Sequence, residues 1–295
     1  MKLLFTTNSN PDLTKLLIRK AGLRLGKYQL GRFVDKEIKL ELKEEVRGKE
    51  VCVLGSSFSP PENLLELLIL INTLKINGVK KITAIIPYFG YSRSDHQYLP
   101  GTPINARLMA QLIETAGATK IITLSLHGKT KKFFRIPITH LSAMPLLADY
   151  VKKLKIKNLV VACPDKGGIP LAKEFARALK IKNILTLEKS HPTPQQTKVI
   201  KISGDPRDKN IVLVDDMIQS GGTIIKAAEA LRASGAKIIY VAVAHLVSTG
   251  PALNKLKTAR TIKQVIITNS VPIKNLPKKL KIVDISGLIA RHLYK

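Results

Sequence analysis

The 295-residue sequence predicts an α/β protein built as two tandem halves, residues 1–145 and 146–295, each a mainly parallel sheet flanked by helices. Three observations predict it. Short apolar runs, rich in β-branched residues and without polar alternation, recur at 51–54, 82–86, 121–126, 159–163, 211–214 and 238–244; such runs suit strands covered on both faces. Stretches with helical apolar spacing separate them. A glycine also marks the helix-to-strand junction repeatedly, in Gly78-Val79-Lys80-Lys81-Ile82, Gly117-Ala118-Thr119-Lys120-Ile121 and Gly235-Ala236-Lys237-Ile238, where a helix stop is expected.

In the first half, residues 2–5 read as a strand and 11–20 as a helix. Ile38, Leu40 and Leu42 alternate with charges, the pattern of a half-buried hairpin arm. The run at 51–54 ends in small polar residues. Pro60 and Pro61 then open a helix with apolar residues at 64, 67, 68, 71 and 74, closed by Gly78. The strand at 82–86 runs into Pro87-Tyr88-Phe89-Gly90-Tyr91-Ser92-Arg93-Ser94-Asp95-His96. A strand end with rings, an arginine fork and a carboxylate suits a triphosphate and its base. Thr102 and Pro103 are expected as N-cap and first residue of the next helix, with Ile104, Leu108 and Leu112 as its buried face. The strand at 121–126 leads into His127-Gly128-Lys129-Thr130. This is not a Walker A loop, because Thr123 occupies the place of the first glycine.

The second half opens with a helix at 145–154 and a strand at 159–163. Pro164-Asp165-Lys166-Gly167-Gly168 follows, an acidic, glycine-rich turn ahead of a helix at 169–179. A strand at 184–188 precedes Lys189-Ser190-His191-Pro192, whose prolines and polar residues predict a loop. The strand at 211–214 meets Asp215-Asp216-Met217-Ile218-Gln219-Ser220-Gly221-Gly222-Thr223. Ile224, Ala228 and Leu231 then recur at helical spacing. Ser220 to Thr223 thus fall at a helix start, where free N–H groups and the dipole favour an anion. The carboxylates suit sugar hydroxyls or a cation. A final strand at 281–285 and helix at 286–293 complete the reading.

Composition sets the bounds. The net charge of +28 raises nucleic-acid binding. However, the lysines are scattered, aromatics make up only 5% and tryptophan is absent, so no stacking platform is expected. A lysine-rich surface handling polyanionic substrates is the expectation. Cys52 and Cys163 lie in apolar strand contexts, as buried thiols of a reducing compartment. The N-terminal apolar run is too short for a signal peptide, and the longest run, 64–71, is too short to span a bilayer. A cytoplasmic protein with no membrane contact is expected.

The loop Val214-Asp215-Asp216-Met217-Ile218-Gln219-Ser220-Gly221-Gly222-Thr223-Ile224 resembles the phosphoribosyl-diphosphate loop of the type I phosphoribosyltransferase fold. The segment 87–95 resembles the Pro-Tyr-Phe-Gly-Tyr-Ala-Arg-Gln-Asp signature of ribose-phosphate pyrophosphokinases, with Ser94 in place of Gln. Gly31-Arg32-Phe33-Val34-Asp35-Lys36-Glu37 resembles their Arg-Phe-Pro-Asp-Gly-Glu stretch, with Val34 and Lys36 in place of Pro and Gly. Pro164 to Gly168 resembles their Pro-Asp-x-Gly-Gly, and Ser125-Leu126-His127 their Asp-Leu-His. Lys189 stands at the position of their catalytic lysine, with His191 where Lys-x-Arg would place arginine.

That resemblance implies two phosphoribosyltransferase-like domains, an ATP side in 1–145 and a ribose-5-phosphate side in 146–295, with the last ~20 residues packing on the first domain. It implies transfer of the diphosphoryl group of ATP to the 1-hydroxyl of ribose 5-phosphate. Phe33, Asp35 and Glu37 would contact the nucleotide of a neighbouring subunit, and Arg93, Ser94, Asp95 and His96 would bind ATP. Asp215, Asp216, Gln219, Ser220, Gly221, Gly222 and Thr223 would hold ribose 5-phosphate. His127 and Asp165 would hold Mg²⁺, and Lys189 and His191 would be catalytic, in a dimer-based homo-oligomer of up to six chains. Two other readings are a catalytically weak regulatory paralogue, suggested by Ser94 and His191, and an RNA-binding regulator on the same fold, suggested by the charge.

Overall fold

The computed structural model describes residues 2–189, 200–247 and 251–294, with backbone alone for Lys189, Ile200 and Pro251. The chain forms two compact units. The first comprises Met1–Leu141, Ser270–Pro272 and Ile285–Lys295; the second comprises Ser142–Asn269 and Ile273–Asp284.

In the first unit the elements are β1 (Leu3–Thr6), α1 (Pro11–Ala21), β2 (Arg24–Leu25), β3 (Tyr28–Arg32), β4 (Ile38–Leu42), β5 (Glu50–Leu54), α2 (Glu62–Ile76), β6 (Lys81–Ile86), α3 (Asn105–Ala116), β7 (Lys120–Leu124) and β8 (Ile138–Leu141). Six strands form a sheet in the order β2-β1-β5-β6-β7-β8, with every neighbouring pair parallel. Strands β3 and β4 make a separate antiparallel hairpin. Phe5, Val53, Leu67, Leu70, Ile71, Ala84 and Ile113 are buried in one core between sheet and helices.

The second unit contains α4 (Met144–Lys153), β9 (Leu159–Cys163), α5 (Ile169–Ala178), β10 (Ile184–Lys189), β11 (Ile200–Ile202), β12 (Asn210–Ile218), α6 (Gly222–Ala233), β13 (Ile238–Leu246), α7 (Pro251–Thr258), β14 (Ile262–Thr268) and β15 (Leu280–Val283). The sheet order is β11-β10-β9-β12-β13-β14-β15. All its pairs are parallel except β10 with β11. The last helix, α8 (Ser286–Ala290), belongs to the first unit and packs on α1. The architecture is the α/β fold with mainly parallel sheets that the apolar runs predict. The three junction glycines, Gly78, Gly117 and Gly235, all adopt positive φ, the conformation that stops a helix at little steric expense.

Several local expectations are corrected. Helix α3 starts at Asn105, not at Pro103, and Thr102 does not cap it. The Thr102 hydroxyl donates to the Leu99 carbonyl instead. The Ser94 hydroxyl serves the helix start, accepting from Asn105 N–H at 3.1 Å and donating to the Pro103 carbonyl at 2.9 Å. The buried face of α3 is Ala106, Met109, Ala110 and Ile113, while Leu108 and Leu112 are exposed. Alanines face inward because α3 packs against α2, and small side chains permit close helix approach. Strand β12 does not stop at Val214 but runs through both aspartates, paired Asp215 with Val243 and Met217 with His245 of β13. Strands β2, β3, β8, β11 and β14 and helix α7 are additional to the sequence reading.

The hairpin tip carries lysine where the stretch it resembles has glycine. Lys36 N–H donates to the Phe33 carbonyl at 3.0 Å, and Phe33 N–H to the Glu37 carbonyl at 2.9 Å. This closes a turn in which Lys36 sits at φ 73°, left-handed backbone that disfavours a residue with a Cβ. Lys36→Gly is expected to stabilise the protein by about 1 kcal/mol, read as a higher midpoint in urea unfolding.

Candidate active site

The second unit holds its candidate site where the strand order reverses. The chain passes from β9 outward to β10, then returns to β12 on the other side of β9. Crevices beyond the carboxyl ends of strands at such a reversal are where open α/β sheets bind ligands. Both acidic motifs of this half lie there: Asp165 follows β9, and Asp215 and Asp216 fall in the carboxyl-terminal half of β12.

Asp165 is exposed, and its Oδ1 accepts from Gly168 N–H at 3.1 Å, which fixes the carboxylate over its own turn. Asp215 is half-buried, and its Oδ1 accepts from Asp216 N–H at 2.8 Å. Burial, followed by the neighbouring charge of Asp216, pushes the Asp215 carboxyl up to about 8; the charge of Asp165 acts in the same direction. The three carboxylates therefore share one small region. Beyond them, Gln219, Ser220 and Thr223 are exposed. Gly221 stands at the start of α6 with φ 77°, so a side chain there would be strained. Ser220 Oγ lies 3.5 Å from Gly222 N. The loop thus presents hydroxyls and backbone at the positive end of a twelve-residue helix, suited to a phosphate.

In the first unit, the 92–96 loop and the His127 turn form one assembly. Asp95 is buried, with Oδ1 2.6 Å from His96 Nδ1 and Oδ2 accepting from Lys129 N–H at 2.6 Å. Burial pushes its carboxyl up, but the Lys129 N–H, the His96 bond and the charges of His96 and His127 outweigh this and hold it below the ordinary range. The Thr130 hydroxyl donates to the Ser92 carbonyl at 3.0 Å. Arg93 and His96 are exposed, and His127 is half-buried. Both Asp95 oxygens have partners within the chain, and the Ser94 hydroxyl is engaged at α3. By contrast Phe33, Asp35 and Glu37 all lie on the exposed hairpin tip, Phe33 at 51%. The Lys39 ammonium stands 5.6 Å from the Phe33 ring centre. The side chain of Lys189 and all of His191 lie outside the described residues.

Gly128 makes the turn possible. It has φ 55°, and a Cβ there would stand 2.2 Å from Asp95 Oδ2. Gly128→Ala is expected to cost about 2 kcal/mol through left-handed strain and displacement of that carboxylate, measured by chemical unfolding.

One supporting residue was not foreseen. His140, on β8, accepts from Leu126 N–H through Nε2 at 2.9 Å and so props the residue before His127. Burial, then the charge of Lys131, lowers its pKa, which keeps Nε2 available as an acceptor. Nothing near His140 in the sequence marks it, because its strand carries no run or motif.

Asp165 presents an exposed carboxylate at the candidate site of the second unit. Among the described residues there is no group of three or more His, Cys, Asp or Glu able to hold a metal ion. A lone exposed carboxylate fits a hard divalent ion that takes most ligands from phosphate and water rather than from a full protein cage.

Mainly parallel sheets and a carboxylate-hydroxyl-glycine loop at a strand-order reversal define a protein of the phosphoribosyltransferase fold. Comparisons with known proteins give the finer assignment. Residues 2–117 match the N-terminal domain of ribose phosphate pyrophosphokinase, and residues 129–274 match the phosphoribosyl transferase domain. A ribose-phosphate pyrophosphokinase of Bacillus caldolyticus is 41% identical over 96% of this chain and 90% of its own length. That of Bacillus subtilis is 39% identical over 95% of this chain and 87% of its own. The crystal structure of phosphoribosylpyrophosphate synthetase from Mycobacterium smegmatis superposes with a TM-score of 0.92 at 32% identity, covering 100% of this chain and 98% of that one. The chain belongs to the ribose-phosphate pyrophosphokinase family.

Proposed function

We propose that the protein transfers the diphosphoryl group of ATP to the 1-hydroxyl of ribose 5-phosphate, giving 5-phosphoribosyl 1-diphosphate and AMP. The observation that carries this reading is the gathering of Asp165, Asp215 and Asp216 beside the α6 N-terminus at the strand-order reversal of the second unit. Asp215 and Asp216 accept from the ribose hydroxyls. Gln219, Ser220, Gly221, Gly222 and Thr223 hold the 5-phosphate. A proton on Asp215 near neutral pH supports this role, because it reduces repulsion between the carboxylates and an incoming phosphate.

Arg93 forks onto the ATP phosphates, and His96 adds a contact from the same loop. Ser94 and Asp95 shape that loop. Phe33 stacks on the adenine, with Asp35 and Glu37 beside it. The exposure of these three residues supports a nucleotide site completed by a second copy, hence a homo-oligomer. Asp165 and His127 are the residues that would hold Mg²⁺, which would supply neutralisation of phosphate charge. Lys189 offsets charge that develops during transfer. His191 stands where the family places arginine and is a cation only when protonated, so turnover is expected to fall as rising pH removes that proton. A kcat profile from pH 5.5 to 8, compared with His191→Arg, checks this; the arginine variant should lack the decline.

No helix of the described residues is long and apolar enough to cross a membrane, and both cysteines are free and buried. These features support a cytoplasmic enzyme working on soluble polyanions. The test is a coupled assay of AMP release. AMP formed only when ATP, ribose 5-phosphate and Mg²⁺ are all present is the expected result. No AMP under those conditions would remove the enzyme reading and favour a regulatory paralogue.

A further inference from the structure

One buried carboxylate of the first unit has no part in the chemistry above. Glu66 lies on α2 and is 4% exposed, among the leucines that line the core side of that helix. A charge there needs partners, and they come from two distant segments. Asn8, just past the end of β1, donates its backbone N–H to Glu66 Oε2 at 3.1 Å and its side-chain amide to Oε1 at 3.3 Å. Arg32, the last residue of β3, donates to Oε1 at 3.0 Å. Arg32 immediately precedes Phe33.

The hairpin needs such a hold, because a two-stranded ribbon is marginal on its own. Tyr28, Leu30 and Arg32 share one face by strand alternation, paired across to Leu42, Leu40 and Ile38. At the near end of that face the Tyr28 hydroxyl donates to the Thr6 carbonyl at 2.6 Å. Leu40 and Leu42 pack on the core in between. At the far end Arg32 reaches Glu66. The ribbon is therefore fastened at both ends of β3, and the second fastening lies directly below the exposed tip.

We propose that Glu66 is a positioning residue for the nucleotide. Through Arg32 it sets the angle at which the hairpin presents Phe33, Asp35 and Glu37, and it ties that angle to the exit of β1 through Asn8. The inference rests on the reading that this tip contacts the nucleotide.

Two variants test it in the full-length protein. Glu66→Gln keeps the size but turns a donor group toward Arg32 or Asn8, and Arg32→Met removes the exposed partner while leaving Glu66 its Asn8 bonds. Amide hydrogen exchange reads the hairpin without recourse to activity. In both variants exchange in 28–42 should quicken by about tenfold or more while β5 and β6 keep their protection. The KM for ATP should rise about tenfold, with the KM for ribose 5-phosphate within about twofold. Unchanged exchange in 28–42 would overturn the proposal. So would loosening spread over the whole unit, or a loosened hairpin with an unaltered KM for ATP. Wild-type AMP release is recorded alongside: its absence would sink the proposed reaction, and the exchange result would still decide whether Glu66 holds the hairpin.

Discussion

Asp215→Asn should lower activity and raise stability together. On the activity side, the carboxylate is assigned to a ribose hydroxyl. Above about pH 8, where this carboxyl is ionised, a hydrogen bond to it contributes about 1.5–3 kcal/mol, so its loss should reduce kcat/KM for ribose 5-phosphate by about ten- to a hundredfold there. On the stability side, the carboxyl is raised to about 8 by burial and by Asp216, against about 3.9 for an ordinary aspartate. Between those values the unfolded chain has lost a proton that the folded chain retains. Stability therefore falls as pH rises from about 4 to about 8, and above that range the folded protein carries the full cost of an ionised, half-buried carboxylate. Asparagine removes this cost. Discounted for partial solvent access, the gain near neutral pH is about 1–3 kcal/mol. The difference in thermal midpoint between variant and wild type should be small near pH 4 and grow toward pH 8. A difference independent of pH would show that the carboxylate is not under strain. With the pH-dependent difference, the site holds Asp215 against its own stability, as expected where function sets the residue.

The same aspartates show what the sequence reveals and what it does not. The central strands were legible because a strand covered on both faces must be apolar throughout, and the runs at 159–163 and 211–214 are. The junction glycines were legible because helix stops need left-handed backbone. The candidate loop was legible because its residue types act locally: glycines for curvature, hydroxyls and N–H groups for an anion. The extent of β12 was not, because two adjacent carboxylates suggest a strand end; β13 continues alongside in register through Leu246 and keeps the backbone paired. In α3 the positions 104, 108 and 112 form as regular a stripe as the true one. Only the presence of α2 selects the alanine face. Strand β14 and helix α7 lie in a lysine-rich stretch where each apolar signal is short. The roles of Asp95 and Glu66 depend on partners 34 and 58 residues away, and no local pattern announces such pairings.

Gly90→Ala should be the most damaging single-methyl change in the first unit. The residue lies in the segment that resembles the family's nucleotide signature, yet its necessity is geometric. Gly90 N–H donates to Ser57 Oγ at 2.7 Å, and Ser57 N–H donates to the Tyr88 carbonyl at 3.1 Å. These bonds draw the exits of β5 and β6 together until a Cβ on Gly90 would stand 2.0 Å from the Ser57 carbonyl oxygen. That oxygen is backbone and cannot rotate away like the end of a flexible side chain. The two exits must part, breaking both bonds and shifting the 92–96 loop. Overpacking of this kind costs about 1–3 kcal/mol, and the upper end is expected because the obstacle is main chain. The shift should also reach Arg93 and, through Asp95 and Thr130, the His127 turn. A displacement near 1 Å at a site that works by alignment can cost about a hundredfold in rate. The variant should therefore unfold at lower urea and show a higher KM for ATP, while binding of ribose 5-phosphate, measured by calorimetry without nucleotide, stays near wild type. Equal loss of affinity for both ligands would mean that Gly90 supports the whole protein rather than the nucleotide loop.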